Sequence, residues 1–348
     1  MKRYILYLIS CVLVFAGCGE SVIGYENYED YLNASGAGDS CKILYETTDG
    51  KKISTIDNKI GDANIVSNVY ANNIGTIICD KPITAIDGGI FISNKNLKAV
   101  QLPNSVTRIG ESAFSDSPQL ELVILPNSRH TIGNKAFYKC NKLKNINLEH
   151  ATEIGDEAFY QCYELIGDKG SNTVTLNAVK IGNKAFYCCN NLTGVVFGNE
   201  HDQAVGATLR TIGNQTFYKC TSLLEIAIPD SVERIEKEAF NECTSLKLVT
   251  IGKSVNFIGQ LAFYKCPFGK ERGKVCVICK AKTPPEFENS GYRYSPFPLW
   301  SVANTFYTIK IPASSYNQYR YGSWIDSIAD PDYTSNKDLL FVSDTSLD

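Results

Sequence analysis

The sequence predicts a β-rich solenoid of about eight 23-residue coils with short helical turns, closed by a β-hairpin cap before the coils and a second cap after them. Three observations predict it. The isoleucine that opens each unit falls at Ile86, Ile109, Ile132, Ile154, Ile181, Ile212, Ile235 and Ile258, with spacings of 23, 23, 22, 27, 31, 23 and 23. A fixed period in the twenties marks stacked repeats. One phenylalanine sits in register in every unit: Phe91, Phe114, Phe137, Phe159, Phe186, Phe217, Phe240 and Phe263. A segment alternating apolar and polar residues follows each phenylalanine, as in Leu120, Val123 and Leu125, or Leu246, Val249 and Ile251. That alternation reads as a half-buried strand.

The chain opens on Lys2 and Arg3, followed by an apolar run from Tyr4 to Phe15 that is too short to span a bilayer. Phe15-Ala16-Gly17-Cys18 then resembles a bacterial lipobox, in which small residues precede a cysteine that is lipidated and becomes residue one. Residues 1–17 therefore read as a lipoprotein signal peptide, Cys18 as the acylated position and residues 18–40 as a tether rich in Ser, Gly, Asn and acids. Gly19-Glu20-Ser21-Val22 after the cysteine lacks a dense acidic cluster. Losing residues 1–17 removes two basic and no acidic residues, taking the formal charge from −3 to −5. A mildly acidic chain with no basic block is a poor nucleic-acid ligand, and the only membrane attachment expected is the lipid anchor.

Residues 41–82 read as a β-rich N-terminal cap, with Asp49-Gly50 between Ile43–Tyr45 and Lys51–Ile53 as the hairpin signal. Residues 83–280 are the repeats. Where proline follows the last core residue, as at Pro126 and Pro229, it ends the strand because it has no N–H to donate. A second short strand follows, and glycine then opens the turn carrying Ala-Phe-x-x-Cys. Phe and Cys three apart share a helical face, so the phenylalanines should stack as a buried spine. At roughly 4.8 Å per coil, eight make a rod roughly 35–40 Å long. Cys140, Cys162, Cys189, Cys220, Cys243 and Cys266 share one position, held by Ser117 and Asn94 in the first two units; this is a small buried polar slot. Eleven cysteines follow Cys18, an odd number that argues against a complete disulfide framework. Cys276 and Cys279 form a C-x-x-C in a strand-like run without a second pair, so no metal site is read there. Residues 281–330, with Ile309–Pro312, Tyr316, Tyr319 and Trp324, read as the C-terminal cap, and Pro284–Trp300 as a plug. Residues 331–348 read as a polar tail with Leu339–Val342 as a docking strand.

The paired motifs Ile-Gly-x-x-Ala-Phe-x-x-Cys and Leu-x-x-Val-x-Leu-Pro, over about residues 83–280, resemble the BspA-like leucine-rich repeats of bacterial surface proteins, above all lipoproteins of Bacteroides-type bacteria. The resemblance implies a leucine-rich repeat solenoid on an outer-membrane, lipid-anchored protein at the cell surface. It also implies adhesion to a protein ligand: host extracellular matrix, host cells or other bacteria. The family's ligand-binding residues follow no motif, so only Cys18 carries a role across, through the lipobox.

Three surfaces are candidate binding sites. Tyr138, Tyr160, Tyr187, Tyr218 and Tyr264 each directly follow a spine phenylalanine and should form a partly exposed stripe, broken at Asn241. Alternation places Ala99, Gln101, Leu122, Ile124, Asn145, Asn147, Val196, Glu225, Ala227, Leu248 and Thr250 on the outer face of the strands. The two long spacings add loops near Gly167–Asn172 and Asn199–Ala207. An aromatic content of 11% and the tyrosine stripe make a glycan-capturing accessory lipoprotein the alternative, and a periplasmic envelope scaffold is the other. Catalysis is not expected: His130, His150 and His201 are the only histidines, no nucleophile–base pair is legible, and Glu153, Asp156 and Glu157 read as a solvated face. No cofactor is expected, because a Gly-rich phosphate loop and a calcium-binding repeat are both missing.

Overall fold

The computed structural model describes residues 40–54, 58–167, 173–198, 208–268, 275–288, 295–297, 308–321, 324 and 341–348. The repeats stack into two rows of parallel strands. The short row runs Ala85–Ile86, Arg108–Ile109, His130–Ile132, Ala151–Ile154 and Lys180–Ile181, then Thr211–Ile212, Arg234–Ile235, Phe257–Ile258 and Glu286–Phe287. Within each of its two sheets, consecutive opening isoleucines pair in register, as Ile86 with Ile109 and Ile235 with Ile258. The long row runs from Leu97–Gln101 through Leu248–Ile251 and on to Val275–Cys279, Thr308–Pro312 and Phe341–Asp344.

The third side of each coil is a turn, and here the structure departs from the sequence reading. The segment carrying Ala-Phe-x-x-Cys is not helical. Its hydrogen bonds span three residues, as Cys140 N to Phe137 O at 3.1 Å. Residues two before and two after the phenylalanine take left-handed conformations: Lys135 and Lys139 (φ 55° and 56°), Glu157 and Gln161, Gln215 and Lys219. Such a conformation costs a non-glycine residue roughly 1–2 kcal/mol. The kinks turn alternate N–H groups along the rod axis. Lys135, Phe137 and Lys139 donate to the carbonyls of Asp156, Ala158 and Tyr160 in the next coil, each at 2.8 Å. The same triple recurs at every coil from Phe114 to Phe240, so these strained residues are held by hydrogen bonds a helix could not make.

The spine forms as expected. Consecutive rings from Phe91 to Phe263 stack with centroids 4.9–5.3 Å apart and planes within 11°. All eight are fully buried. The cysteine slot is also as read. Cys140, Cys162, Cys189, Cys220, Cys243 and Cys266 each donate the thiol to the carbonyl of the phenylalanine one coil earlier, at 3.1–3.3 Å. Ser117 does the same to Phe91 O at 2.8 Å. Burial pushes the Cys140 thiol up to about 12 and those of Cys162, Cys189, Cys220 and Cys266 well above the usual thiol range.

The spine outlasts the legible repeats. Phe297 stacks on Phe263 at 5.2 Å, and Phe263 N donates to Pro296 O at 2.7 Å, so Pro296-Phe297 stand where Ala-Phe stands in other coils. Phe287 takes the isoleucine position of this ninth rung, pairing with Ile258. Trp324 closes it, stacking on Phe287 at 5.1 Å and donating its indole N–H to Pro285 O at 2.6 Å. The C-x-x-C lies in a strand, as read, with Cys279 Sγ 3.2 Å from the buried Tyr319 hydroxyl. Of the segment expected as a polar tail, Phe341–Asp344 adds a final parallel strand to Thr308–Pro312, and Asp348 accepts from Ser314.

At the other end the strand Lys42–Thr47 lies antiparallel to both Leu97–Gln101 and Ile74–Cys79. The hairpin differs from the one expected. Asp49-Gly50 does turn, with Gly50 at φ 66°, but Lys51–Ile53 forms no strand. Thr47 Oγ1 instead donates to Lys51 O at 2.8 Å, and Ile53 N donates to the Tyr45 hydroxyl at 3.2 Å. The cap's hairpin is Ala63–Ala71 with Ile74–Cys79, turning at Asn72-Asn73 (φ 52° and 63°), a pair suited to a type I′ turn. The Tyr45 ring lies where a Cβ on Gly75 would stand, so only glycine fits there.

The long row is divided, among the described residues, into sheets ending at Asn145–Ile146, Thr173–Leu176 with Gly194–Phe197, and Glu225–Ala227 onward. The short row divides between Lys180–Ile181 and Thr211–Ile212. Both insertions fall at these breaks. The turn ladder crosses the second without interruption, through Lys184, Phe186 and Cys188 to Asn214, Thr216 and Tyr218.

Phe186→Ala removes a ring stacked on both faces and should cost about 3–5 kcal/mol, read as a lower urea midpoint. Ellman titration of the chain from residue 19 onward should label Cys41, the one half-exposed thiol, and reach all eleven cysteines only on unfolding. His130 is buried, its Nδ1–H donates to Ser128 O at 2.8 Å, and among the described residues its Nε2 has no partner. Burial lowers its pKa, so the native imidazole stays neutral where the unfolded one, at about 6.5, takes up a proton. Stability is then lost as pH falls through about 6.5 toward the folded value. Thermal melts across this range should show a shallower pH slope for His130→Leu than for the parent chain.

Candidate functional site

The residue after each spine phenylalanine is rotated away from the core by the turn. In four consecutive coils it is tyrosine. Tyr138, Tyr160, Tyr187 and Tyr218 are half-buried and stack into a second ladder, with centroids 5.0, 4.6 and 4.7 Å apart and planes within 17°. The predicted stripe is therefore an actual row, and its spacing is set by the turn hydrogen bonds beneath it. Asn241 interrupts it, buried and with Oδ1 unpartnered among the described residues; Tyr264 stands beyond as an exposed ring. Ser115 occupies the same position before Tyr138, and Tyr163 adds a part-exposed ring near Tyr160.

The left-handed positions flanking the row carry its charges. Lys135 and Lys139 lie over the Tyr138 ring, 5.9 and 5.1 Å from its centroid. Lys219 lies over Tyr218 at 5.4 Å. At that end Glu242 gathers three donors: the Tyr218 hydroxyl at 3.2 Å, Lys265 at 3.0 Å and Lys219 at 3.5 Å. These contacts outweigh partial burial and hold its carboxyl below the usual range. Burial, then the Glu242 carboxylate, raise the Tyr218 phenol. Burial pushes Tyr187 up to about 12, with Cys188 and Tyr160 adding to it. Burial raises the Tyr160 phenol as well, so Tyr160, Tyr187 and Tyr218 are neutral phenols across physiological pH.

The outer strand face is less open than alternation suggests. Ile124 and Ala99, both expected outside, are buried, at 8% and 0% exposure. Ala99 is too short to rise between its strand neighbours Glu46 and Leu122, and Ile124 lies beside Gln101 in the paired strand. Asn145 and Asn147 are half-buried and turn their amides inward: Asn145 Nδ2 donates to Gly167 O at 3.2 Å, and Asn147 Oδ1 accepts from Leu125 N at 3.0 Å. Leu122 and Leu248 are half-buried, while Val196 is 51% exposed and Leu224, in the next coil, 52%. Leu224 was not among the expected residues, because it lies at a strand's entry where alternation assigns no face.

Cys18 lies outside the described residues, as do residues 168–172 and 199–207 of the two insertions. No helix among the described residues is long and apolar enough to cross a membrane, and no cluster of three or more His, Cys, Asp or Glu side chains there could hold a metal ion. His130 and His150 stand in adjacent coils, His130 N donating to His150 O at 3.2 Å, and the His150 ring lies 3.2 Å from the Glu149 carboxylate.

No curated protein matches the chain. A leucine-rich repeat protein from Bacteroides ovatus is similar at 21% identity, with 74% of this chain and 65% of that one covered and a TM-score of 0.49; the match thus spans just under two thirds of that protein's length. A leucine rich cell surface protein from Faecalibacterium prausnitzii is similar at 22% identity, over 81% of this chain and 88% of that one, with a TM-score of 0.36. The T. pallidum leucine rich repeat protein shares 21% identity over 54% of this chain and 73% of that one, with a TM-score of 0.37. The description "BspA type leucine rich repeat region" matches six copies over residues 63–193 and 208–270, more than half of the chain. By that match the chain belongs to the BspA-type leucine-rich repeat family.

Proposed function

We propose that this chain is a cell-surface adhesin, anchored in the outer membrane through an acylated Cys18, that binds a protein ligand of host matrix or host-cell origin on its repeat scaffold. The family is one of protein-interaction scaffolds, which supports the coarse reading. The observation that carries the finer one is the tyrosine row: four aligned, half-exposed aromatic rings on a rigid rod, each with an apolar body and a polar tip. Aromatic residues held on a rigid frame lose little entropy on binding, which is why they dominate protein recognition. The part-exposed Leu122 and Leu248 and the exposed Val196 and Leu224 offer a second, apolar contact on the strand face.

A glycan-capturing role is less well supported. Sugars stack on open ring faces, and in this row the faces of Tyr160 and Tyr187 are covered by their neighbours. Protease treatment of intact cells should shave the protein from the surface, and Cys18→Ser should release it from the membrane fraction. Protection until lysis would replace adhesion with a role in the periplasm. A matrix-protein panel should capture the protein, and a glycan array should not; the reverse pattern would favour the glycan reading.

A further inference from the structure

The tyrosine row contains one filled carboxylate seat and three open ones. The filled seat is at Tyr218. Its hydroxyl donates to Glu242 Oε1, and Lys219 and Lys265 flank the same carboxylate. Glu242 stands at the left-handed position of the coil after Tyr218. The same position after Tyr138, Tyr160 and Tyr187 is held by Gln161, Cys188 and Lys219, none of which carries a carboxylate. Among the described residues those three phenol hydroxyls make no hydrogen bond. Lysines nevertheless attend this part of the row. Lys135 and Lys139 bracket Tyr138, and Lys184 precedes Tyr187 by three residues. Lys135 reaches Glu157 only at 3.8 Å, with both side chains partly exposed, and Lys139 and Lys184 have no acidic partner among the described residues.

The ring geometry narrows the ligand further. With their faces covered, the inner rings offer their edges and hydroxyls. The edge is the positive part of the aromatic quadrupole, and the hydroxyl is a donor, so both seek oxygen acceptors. The row from Tyr138 to Tyr187 is about 10 Å long, which an extended chain advancing about 3.3 Å per residue crosses in about three residues. We infer that the row Tyr138–Tyr160–Tyr187, with Lys135, Lys139 and Lys184, binds an acidic, extended polypeptide segment whose carboxylates take the place that Glu242 takes at Tyr218. This names the chemistry of the partner in the protein-binding reading above and rests on that reading.

The test uses the full-length protein in detergent and a fluorescent oligoglutamate of about ten residues, with the matching oligoglutamine as control. Oligoglutamate should bind about tenfold or more tighter at low salt and weaken as salt rises. Lys139→Glu with Lys184→Glu should abolish that preference. Tyr160→Phe with Tyr187→Phe keeps the stacking, so the fold is safe, and should weaken binding about three- to tenfold through lost donors alone. Lys247→Glu, on the strand face, should leave it unchanged. Equal binding of the two peptides, or charge-reversed and phenylalanine variants that bind like the parent, would overturn the inference. So would a neutral oligosaccharide that competes at the row when oligoglutamate does not. If oligoglutamate fails while a matrix protein is still captured, only the acidic-segment inference is lost. If surface exposure and capture both fail, the adhesin reading falls with it.

Discussion

Three backbone hydrogen bonds tie each turn to the next, and the rest of the rod depends on them. They exist because a left-handed residue stands on either side of the spine phenylalanine and swings alternate N–H groups parallel to the axis. A helical turn would direct those same groups along its own axis and leave only the strand rows to hold the coils at a fixed rise. With the rise fixed near 5 Å, the phenylalanines have little choice but to stack. The cysteine slot is a further consequence. The Phe137 carbonyl accepts Cys140 N within its own coil and Cys162 Sγ from the next, using both of its lone pairs. The slot therefore demands a small side chain with one hydrogen to give, which cysteine and serine share and valine or alanine does not.

The two strand rows are subordinate to this ladder. Both insertions lie where a strand row breaks, and the turns run on past the larger one with their donors and acceptors intact. Extra residues between a turn and its strand, or between the two strands of a coil, change only the loop, since each strand needs a neighbour for only a few residues. An extra residue within the turn would shift the phase of left-handed and ordinary residues and misdirect three N–H groups at once. Thr216, which replaces the usual alanine at the coil after the insertion, adds a hydroxyl bond to Gly213 O at 2.9 Å and reaches back to Gly182 O at 3.3 Å, stitching the turn side more tightly where the strand side is open.

The tyrosine row inherits its order from the same source. Four tyrosines on an ordinary surface would adopt independent rotamers and lose entropy on meeting a ligand. Here the backbone fixes their spacing and each ring confines the next. The cost of ordering falls on folding and not on binding. The order also decides what the surface can recognise, because stacked rings conceal their faces and display hydroxyls. Glu242 shows the result within the molecule: a carboxylate seated against a phenol and two ammonium groups.

The spine, slot and stripe were legible in the sequence because each is one residue type repeated at one period. The turn conformation was not, because its left-handed positions hold Lys, Glu, Gln and Ser instead of the glycine that announces positive φ. The asparagines of the strand face misled for a related reason: Asn145 and Asn147 look like exposed polar positions, but their amides serve the neighbouring coil's backbone. The ninth rung was hidden by spacing. Five residues separate Ile258 from Phe263, and ten separate Phe287 from Phe297. Its composition is what a last rung can accept. Between coils the position before the phenylalanine must supply a carbonyl, and Pro296 supplies it to Phe263 N. Inner coils also use an N–H there, as Ala262 to Gly259 O, but that bond lies within one coil and no neighbour depends on it. Proline forfeits it without breaking the ladder. Phe297 then meets Trp324 at a 59° tilt in place of another parallel ring, so the spine ends on an indole that no further coil could stack upon.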